Sequence, residues 1–181
     1  MTACAATADP HRPDELVLAD GRRLRVRPIG PEDRERLAGL FARLSDESRY
    51  RRFLGPKRTL TAGELTRLTD IDHVTHEALA AIDPHDCSIV GVARYARWEG
   101  HDGVADISVA VADDLHGRGI GGALVGRIVQ RARANGVRRL TASTLWENAP
   151  ARALLKRLAF GVRQSGHVLD LELDLAEAGA G

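Results

Sequence analysis

Hydrophobic and polar residues alternate from residue 15 to residue 29, and after Pro31 hydrophobic residues recur at helical spacing. The segment "ELVLADGRRLRVRPI" places Asp20 and Gly21 between two alternating runs, a pattern typical of a β-hairpin. In "PEDRERLAGLFARL", which begins at Pro31, hydrophobic residues lie three or four positions apart and predict a helix. "SDESRYRRFLGP" predicts a short helix, and "TAGELTRLTDI" predicts another that Thr61 and Glu64 would cap.

Strand patterns dominate the middle of the chain. "EALAAID", "SIVGVARYARW" and "VADISVAVAD" each predict a strand. In the third, Ile107, Val109 and Val111 share one face, whereas Asp106 and Ser108 lie on the other. This third strand leads directly into a glycine-rich turn.

A long helix follows the turn "DDLHGRGIGG". Hydrophobic residues recur at helical spacing along it, at Leu124, Val125, Ile128, Val129 and Ala132. The Asn-Gly pair at 135–136 is typical of a helix end. "VRRLTASTL" then predicts a strand, "APARALLKRLAF" a helix and "HVLDLELDL" a closing strand.

Composition limits the class of protein. With 181 residues, 44% hydrophobic and 28% charged, the chain suits one globular domain, which we place at residues 15–175 after a flexible tail at 1–14. A net charge of +1 and 4% aromatic residues do not favour a nucleic-acid binder, and no apolar run is long enough to span a membrane. The N-terminus lacks the pattern of a secretory signal, so we expect a cytoplasmic protein.

Two cysteines, Cys4 and Cys87, are too few for a disulfide framework or a cysteine-based zinc site. We expect Cys87 to fill a strand as a small hydrophobic residue, and we expect no bound metal.

The glycine-rich turn admits two explanations from its residues alone. Glycines permit positive φ angles, and they also let a ligand approach the backbone closely. The unpaired N–H groups at the start of a helix favour phosphate, and Arg118 would add a charge-assisted contact. The spacing differs from G-x-x-x-x-G-K-[ST], which argues against a loop that hydrolyses nucleoside triphosphates.

The neighbouring sequence resembles a known family. The segment from "VAVADDLHGRGIGGALVG" to "ENAPARALLKRLAFGV" resembles the signature region of the GNAT superfamily of acyl-CoA-dependent N-acyltransferases. The upstream "DGRRLRVRPIGPEDRERL" and "LSDESRYRRF" are similar to the acetyltransferase domain of bacterial protein-lysine acetyltransferases. The resemblance implies an α/β (α+β) GNAT fold: a mixed, mostly antiparallel sheet splayed between strands four and five, with helices on both faces. "VADISVAVAD" would be strand four.

The resemblance also implies where acetyl-CoA binds. Its pantetheine arm would contact the backbone of strand four at Val109, Ala110 and Val111. Its pyrophosphate would lie on the N–H groups of the turn, at Gly117, Arg118, Gly119, Ile120, Gly121 and Gly122. His116 stands where the family motif has glutamine or arginine, and it is either a cofactor contact or a solvated loop histidine. Asn148 matches a cofactor-holding asparagine and is equally suited to cap the following helix.

The resemblance assigns proton removal from the acceptor amine to Asp106. This residue matches the position of a catalytic glutamate, and it acts directly or through water. The alternative is a solvated aspartate at a strand edge, with Glu77 and Glu147 as substitute bases. Leu155 occupies the position of a tyrosine that protonates the leaving thiolate in many members.

We therefore expect an acetyl-CoA-dependent N-acetyltransferase whose acceptor is a primary amine, preferably a protein lysine, reached by direct transfer in a ternary complex. A small-amine acceptor, such as a polyamine, amino acid or antibiotic, is one alternative. A catalytically weak module that senses acyl-CoA is another. The sequence leaves open whether the chain is a monomer or a homodimer.

Overall fold

The computed structural model describes residues 14–164 and 166–176. The tail predicted at 1–14 lies outside the described residues except for Asp14, which begins the first strand. Within the described ranges, no helix has the length and apolar character needed to cross a membrane.

Strands and helices follow the predicted order. The strands are β1 (Asp14–Val17), β2 (Arg23–Pro28), β3 (His76–Ile82), β4 (Ile89–Arg97), β5 (Val104–Val111), β6 (Arg139–Leu145), β7 (Gly161–Gln164) and β8 (Val168–Asp174). The helices are α1 (Arg34–Ala42), α2 (Asp46–Phe53), α3 (Ala62–Thr69), α4 (Ile120–Ala134) and α5 (Ala149–Arg157). The sequence did not predict β7, whose side chains are all exposed, so it shows no alternation of buried and exposed positions.

The strands form an eight-stranded sheet in the order β1-β2-β3-β4-β5-β6-β8-β7. Neighbouring strands are antiparallel except β5 and β6, which are parallel because α4 crosses over between them. The predicted mixed, mostly antiparallel sheet is therefore confirmed. Because the hairpin contributes β1, strands four and five of the sequence analysis are β5 and β6.

The sheet splays between β5 and β6. Their pairing covers only Val104, Ala105 and Asp106 of β5, and it ends at the pair Asp106–Thr141. On its other edge β5 stays paired with β4 in one continuous register from Ala105 to Val111. The second edge of β5 beyond Asp106 therefore has no strand partner.

Helices cover both faces of the sheet, as the resemblance implied. On one face, α4 buries its predicted stripe, including Leu124, Ile128 and Ala132, against residues of β3, β4 and β5. On the other face, Leu37 and Leu40 of α1 pack with residues of β3 and β4, and α3 adds partly buried leucines. This second layer forms the roof of a small cavity beside β5.

A buried carboxylate fixes the corner where the chain passes from β2 to α1. Asp33 is fully buried and accepts two hydrogen bonds from Arg27, at 2.6 and 2.7 Å, one from Arg36 at 3.0 Å and one from the Gly30 N–H at 3.0 Å. Burial works to raise the pKa of Asp33, but the hydrogen bonds from Arg27 and Gly30 outweigh it and hold that pKa below its usual range. The ionised form thus anchors α1 to the sheet.

Replacing Asp33 by alanine is expected to lower the free energy of unfolding by about 3–5 kcal/mol, because Arg27 would lose its buried partner. Asp46→Ala is the matched control. The Asp46 side chain is 99% exposed, so its pair with Arg49 should contribute less than about 1 kcal/mol. Urea unfolding monitored by circular dichroism measures both.

Because the pKa of Asp33 is lowered on folding, its contribution is present above the unfolded value near 3.8 and is lost as pH falls through the lower folded value. Equal stabilities for Asp33→Ala and Asp46→Ala at neutral pH would contradict this role.

Candidate active site

A cleft opens where β5 and β6 part. It encloses about 480 Å³. Its walls come from four elements: α2 contributes Ser48, Arg51 and Arg52; β5 contributes Val109, Ala110 and Val111; the turn and the start of α4 contribute His116, Gly117, Gly119, Ile120, Gly121 and Gly122; and α5 with its cap contributes Asn148, Pro150, Ala151, Leu154 and Arg157. The structure therefore brings together most of the residues that the sequence assigned to the cofactor.

The glycine turn leaves its backbone donors without partners. Gly117 and Gly119 have φ angles of 74° and 84°, a left-handed conformation that favours glycine. Among the described residues, no acceptor is found for the backbone N–H groups of residues 117–122, and the first N–H bond of this region runs from Ala123 to the Gly119 carbonyl. The positive φ angles confirm the first explanation of the turn, and N–H groups without partners are what the second explanation, a bound ligand, requires.

The side chains of His116 and Arg118 in the turn both contact protein groups. His116 Nε2 lies 2.8 Å from the Val111 carbonyl oxygen and so joins the turn to the end of β5. The Arg118 guanidinium donates to Asp20 at the tip of the β1–β2 hairpin. The Arg118 side chain does not line the cleft in this structure, although the backbone N–H group of Arg118 has no partner among the described residues.

Asn148 caps α5 and also lines the cleft. Its Oδ1 accepts from the Ala151 N–H at 3.3 Å, as the capping alternative predicted. The far end of α5 brings Arg157 to the start of α4, where a Cβ on Gly122 would lie 2.4 Å from Arg157 Nη2. Arg157, which the sequence analysis missed, thus places a positive charge beside the unpaired N–H groups.

Asp106 lies on the predicted face of β5, because the register with β4 contains no bulge between Ala105 and Val111. Its Oδ1 accepts from the Thr141 hydroxyl at 3.2 Å. Solvent reaches the carboxyl, yet enough protein surrounds it that burial raises its pKa, against the opposing effects of Thr141 and Arg52. Asp106 lies beside the cleft rather than in its lining.

A second, smaller cavity adjoins the cleft on the Asp106 face of β5. Leu44, Arg52 and Ala110 line both cavities. Arg94, on β4, lines only the smaller one. The sequence analysis missed this pair of arginines because α2 and β4 are remote in sequence.

The substitute bases lie elsewhere. Glu77 is buried under α4, 2.8 Å from His73 Nδ1 and 3.5 Å from Arg131 Nη1, and it lines neither cavity. Glu147 is exposed and lines neither cavity. Of these three carboxylates, Asp106 is therefore the one that lies on a strand beside the opening, where β5 and β6 part.

Cys87 does not lie in a strand, as the sequence analysis expected. It lies in the turn between β3 and β4 with a φ of 59°, and the other cysteine, Cys4, lies outside the described residues. Within 14–164 and 166–176, no three histidine, cysteine or acidic side chains cluster as metal ligands.

Comparison with known proteins agrees with this architecture. The family model described as "Acetyltransferase (GNAT) family" matches residues 44–160. The chain is 34% identical to Acetyltransferase PA5475 of Pseudomonas aeruginosa over 88% of its own length and 85% of that protein's. It is 33% identical to Acetyltransferase Pat of Mycolicibacterium smegmatis over 83% of its length, and it spans 45% of that longer protein.

A solved structure, the GNAT domain of S. lividans PAT, superposes with a TM-score of 0.85 at 32% identity, covering 93% of this chain and 99% of that one. The splayed sheet, the glycine turn at the head of α4 and these matches over nearly the whole described chain lead to one conclusion. The protein belongs to the GNAT family of acetyltransferases.

Proposed function

We propose that this acyltransferase moves an acetyl group from acetyl-CoA directly to a primary amine held beside Asp106. The observation that carries the proposal is the set of unpartnered N–H groups at residues 117–122, which face a cleft opened by the parted strands. Such donors at the start of a 15-residue helix suit a pyrophosphate, whose negative charge the helix dipole also favours.

The remaining walls fit the rest of the cofactor. Arg51 and Arg157 line the cleft and place positive charge near the phosphates. The free edge of β5 from Ile107 to Val111 offers backbone groups to the amide-bearing arm, apart from the Val111 carbonyl, which His116 contacts. Bound acetyl-CoA supplies an activated thioester to this cleft.

Asp106 is suited to remove the proton of the acceptor. An ammonium group has no free electron pair, so it must lose a proton before it attacks a thioester. The raised pKa of Asp106 makes it a better base than an ordinary aspartate. Because its side chain lies beside the cleft, a bridging water would carry the proton across the gap.

Departure of the sulfur requires no protein acid. Leu155 is buried, at 8% exposure, and carries no proton to donate to a leaving thiolate. A thiolate is a stable leaving group near neutral pH, since thiol pKa values lie near 8.5. The absence of a tyrosine at this position is therefore compatible with turnover.

The proposal has two candidates for the acceptor amine. A protein lysine is the acceptor that the sequence resemblance implies. A small amine that also carries a carboxylate is the second candidate, favoured by the two arginines that line the cavity on the Asp106 face of β5. If the chain instead only senses acyl-CoA, it would bind acetyl-CoA without releasing thiol in the presence of any amine.

Gly121→Leu is expected to weaken acetyl-CoA binding at least tenfold from a wild-type dissociation constant in the micromolar range, about −8 kcal/mol. A Cβ at Gly121 would already lie 3.7 Å from Val111 Cγ2, so a longer side chain must enter the cleft. Gly126→Leu is the matched control on the same helix, since a Cβ there meets nothing within 4 Å. Isothermal calorimetry measures both, and equal affinities would contradict the placement of the cofactor.

Asp106→Ala is expected to lose about 10²–10⁴-fold in kcat while keeping its affinity for acetyl-CoA, because a positioned base contributes that much. Asp106→Glu should retain most activity. In the wild type, kcat should rise with pH through an ionisation above the ordinary aspartate value of 3.8, since the pKa of Asp106 is raised and only its deprotonated form accepts a proton.

The rise of kcat with pH should disappear in Asp106→Ala. Glu77→Ala and Glu147→Ala are the comparison variants, and both should bind acetyl-CoA and turn over near the wild-type rate once stability is allowed for. Normal turnover in Asp106→Ala together with an inactive Glu147→Ala would overturn the assignment of the base.

A further inference from the structure

The smaller cavity beside Asp106 combines apolar walls with two guanidinium groups. Phe41, Leu60 and Leu68 contribute apolar surface, and Arg52 and Arg94 contribute the charges. Its volume of about 40 Å³ accommodates about three water-sized groups, the size of a carboxylate. Because Leu44, Arg52 and Ala110 also line the larger cleft, the two spaces meet.

The guanidinium of Arg52 lacks a hydrogen-bonding partner. Among the described residues, no acceptor lies within hydrogen-bond distance of it and no carboxylate oxygen lies within 4 Å. The ring of Phe53 lies 5.0 Å from its central carbon. Burial lowers the pKa of Arg52, and the charge of Asp106 opposes that shift only in part.

Arg94 lacks an acidic partner as well. Its Nη2 donates to the Leu68 carbonyl at 3.0 Å, and none of the described carboxylates pairs with it. Burial and, to a smaller extent, the positive charge of Arg52 together lower the pKa of Arg94 to about 10. Two like charges thus face one small space whose lining contains no carboxylate.

We propose that Arg52 and Arg94 bind the carboxylate of the acceptor, and that this acceptor is a free α-amino acid. The proposal rests on the acetyl transfer proposed above and specifies its substrate. Guanidinium groups bind carboxylates through paired N–H donors, and an apolar surrounding strengthens that contact. In an α-amino acid the amine lies one carbon from the carboxylate, and Asp106 is the carboxylate whose charge acts on Arg52.

The reaction balances with groups already named. The amine nitrogen forms a bond to the acetyl carbon, the carbon–sulfur bond breaks, and its electron pair stays on the sulfur. The ammonium first loses one proton to Asp106, directly or through water, and the second proton that the nitrogen loses as the amide forms passes through water to the leaving thiolate. The product is an N-acetyl amino acid, whose carboxylate still matches the arginines.

Charge separates this acceptor from a lysine side chain. An amino acid brings a carboxylate next to its ammonium and has no net charge, whereas a lysine side chain brings an ammonium and no carboxylate at its reactive end. Two unneutralised guanidinium groups attract the first and repel the second. The cavity therefore favours an acceptor that has a carboxylate next to its amine over one that has none.

The test compares amino acids with their decarboxylated amines. Release of free thiol from acetyl-CoA is followed with the twenty amino acids, with the amine that corresponds to each accepted amino acid, such as 3-methylbutylamine for leucine, and with a lysine peptide. We expect kcat/KM at least tenfold higher for an accepted amino acid than for its amine or for the peptide.

Arg94→Met is the decisive variant because Arg94 lines only the smaller cavity. It should raise KM for the amino acid at least tenfold and leave the KM for acetyl-CoA unchanged. It should raise kcat/KM for the decarboxylated amine, because it removes a charge that repels an ammonium group. Arg94→Lys should recover part of the loss. Arg58→Met, at an exposed position outside both cavities, is the matched control.

Turnover of the lysine peptide without turnover of any amino acid would overturn the inference and leave the proposed acetyl transfer standing. An equal effect of Arg94→Met on amino acid and amine would also overturn it. If Arg94→Met fails to fold, calorimetry of the wild-type enzyme with the twenty amino acids in the presence of coenzyme A decides, and binding of none contradicts the inference. Failure to bind acetyl-CoA at all would instead defeat the proposed function.

Discussion

The separation of β5 from β6 beyond Asp106 and Thr141 determines where ligands can bind. A strand edge without a neighbour leaves backbone donors and acceptors unpaired, and each such group costs about 1–3 kcal/mol when it is buried. Packing holds the strands apart: Val109, Val111 and Leu154 join the hydrophobic core around α4 on one face, while α2 contacts both strands on the other. The separation thus provides both the space and the unpaired groups that a cofactor with its own amides would satisfy.

Charges are distributed unevenly around this opening. The side of the cleft where we propose that the cofactor binds has backbone N–H groups, Arg51 and Arg157, all of which favour phosphates. The side where we propose that the acceptor binds has Arg52 and Arg94, and it has Asp106, whose pKa is raised by burial. Both sides therefore favour anionic groups, and the exception is Asp106, the carboxylate that we propose as the base.

Local sequence signals predicted the elements but not all of their contacts. The hairpin at Asp20 and Gly21 and the stripe of α4 depend on neighbours in sequence, so their patterns were sufficient. The strand β7 is exposed on every side chain and left no pattern to detect. Likewise, the pairing of Arg118 with Asp20 joins residues that are 98 positions apart, and no local rule predicts such a contact.

The same distinction applies to the candidate site: residues marked by local patterns were predicted, and residues that only the fold brings together were not. The turn and Asp106 were found because a family resemblance and strand alternation mark them, and the unbroken register of β5 with β4 kept Asp106 on the expected face. Arg52 and Arg94 were missed because one lies among several arginines of α2 and the other in an apolar strand. Arg52 and Arg94 become neighbours because α2 packs across β5.

An NMR titration with acetyl-CoA tests most directly whether the unpaired N–H groups of the turn hold the cofactor. After assignment of the backbone amides, the largest shifts and the strongest gain in protection from hydrogen exchange should fall on residues 117–122, with smaller changes at 107–111. Changes confined to other parts of the chain, or saturable binding that leaves the amides of residues 117–122 unperturbed, would contradict a cofactor site at the head of α4.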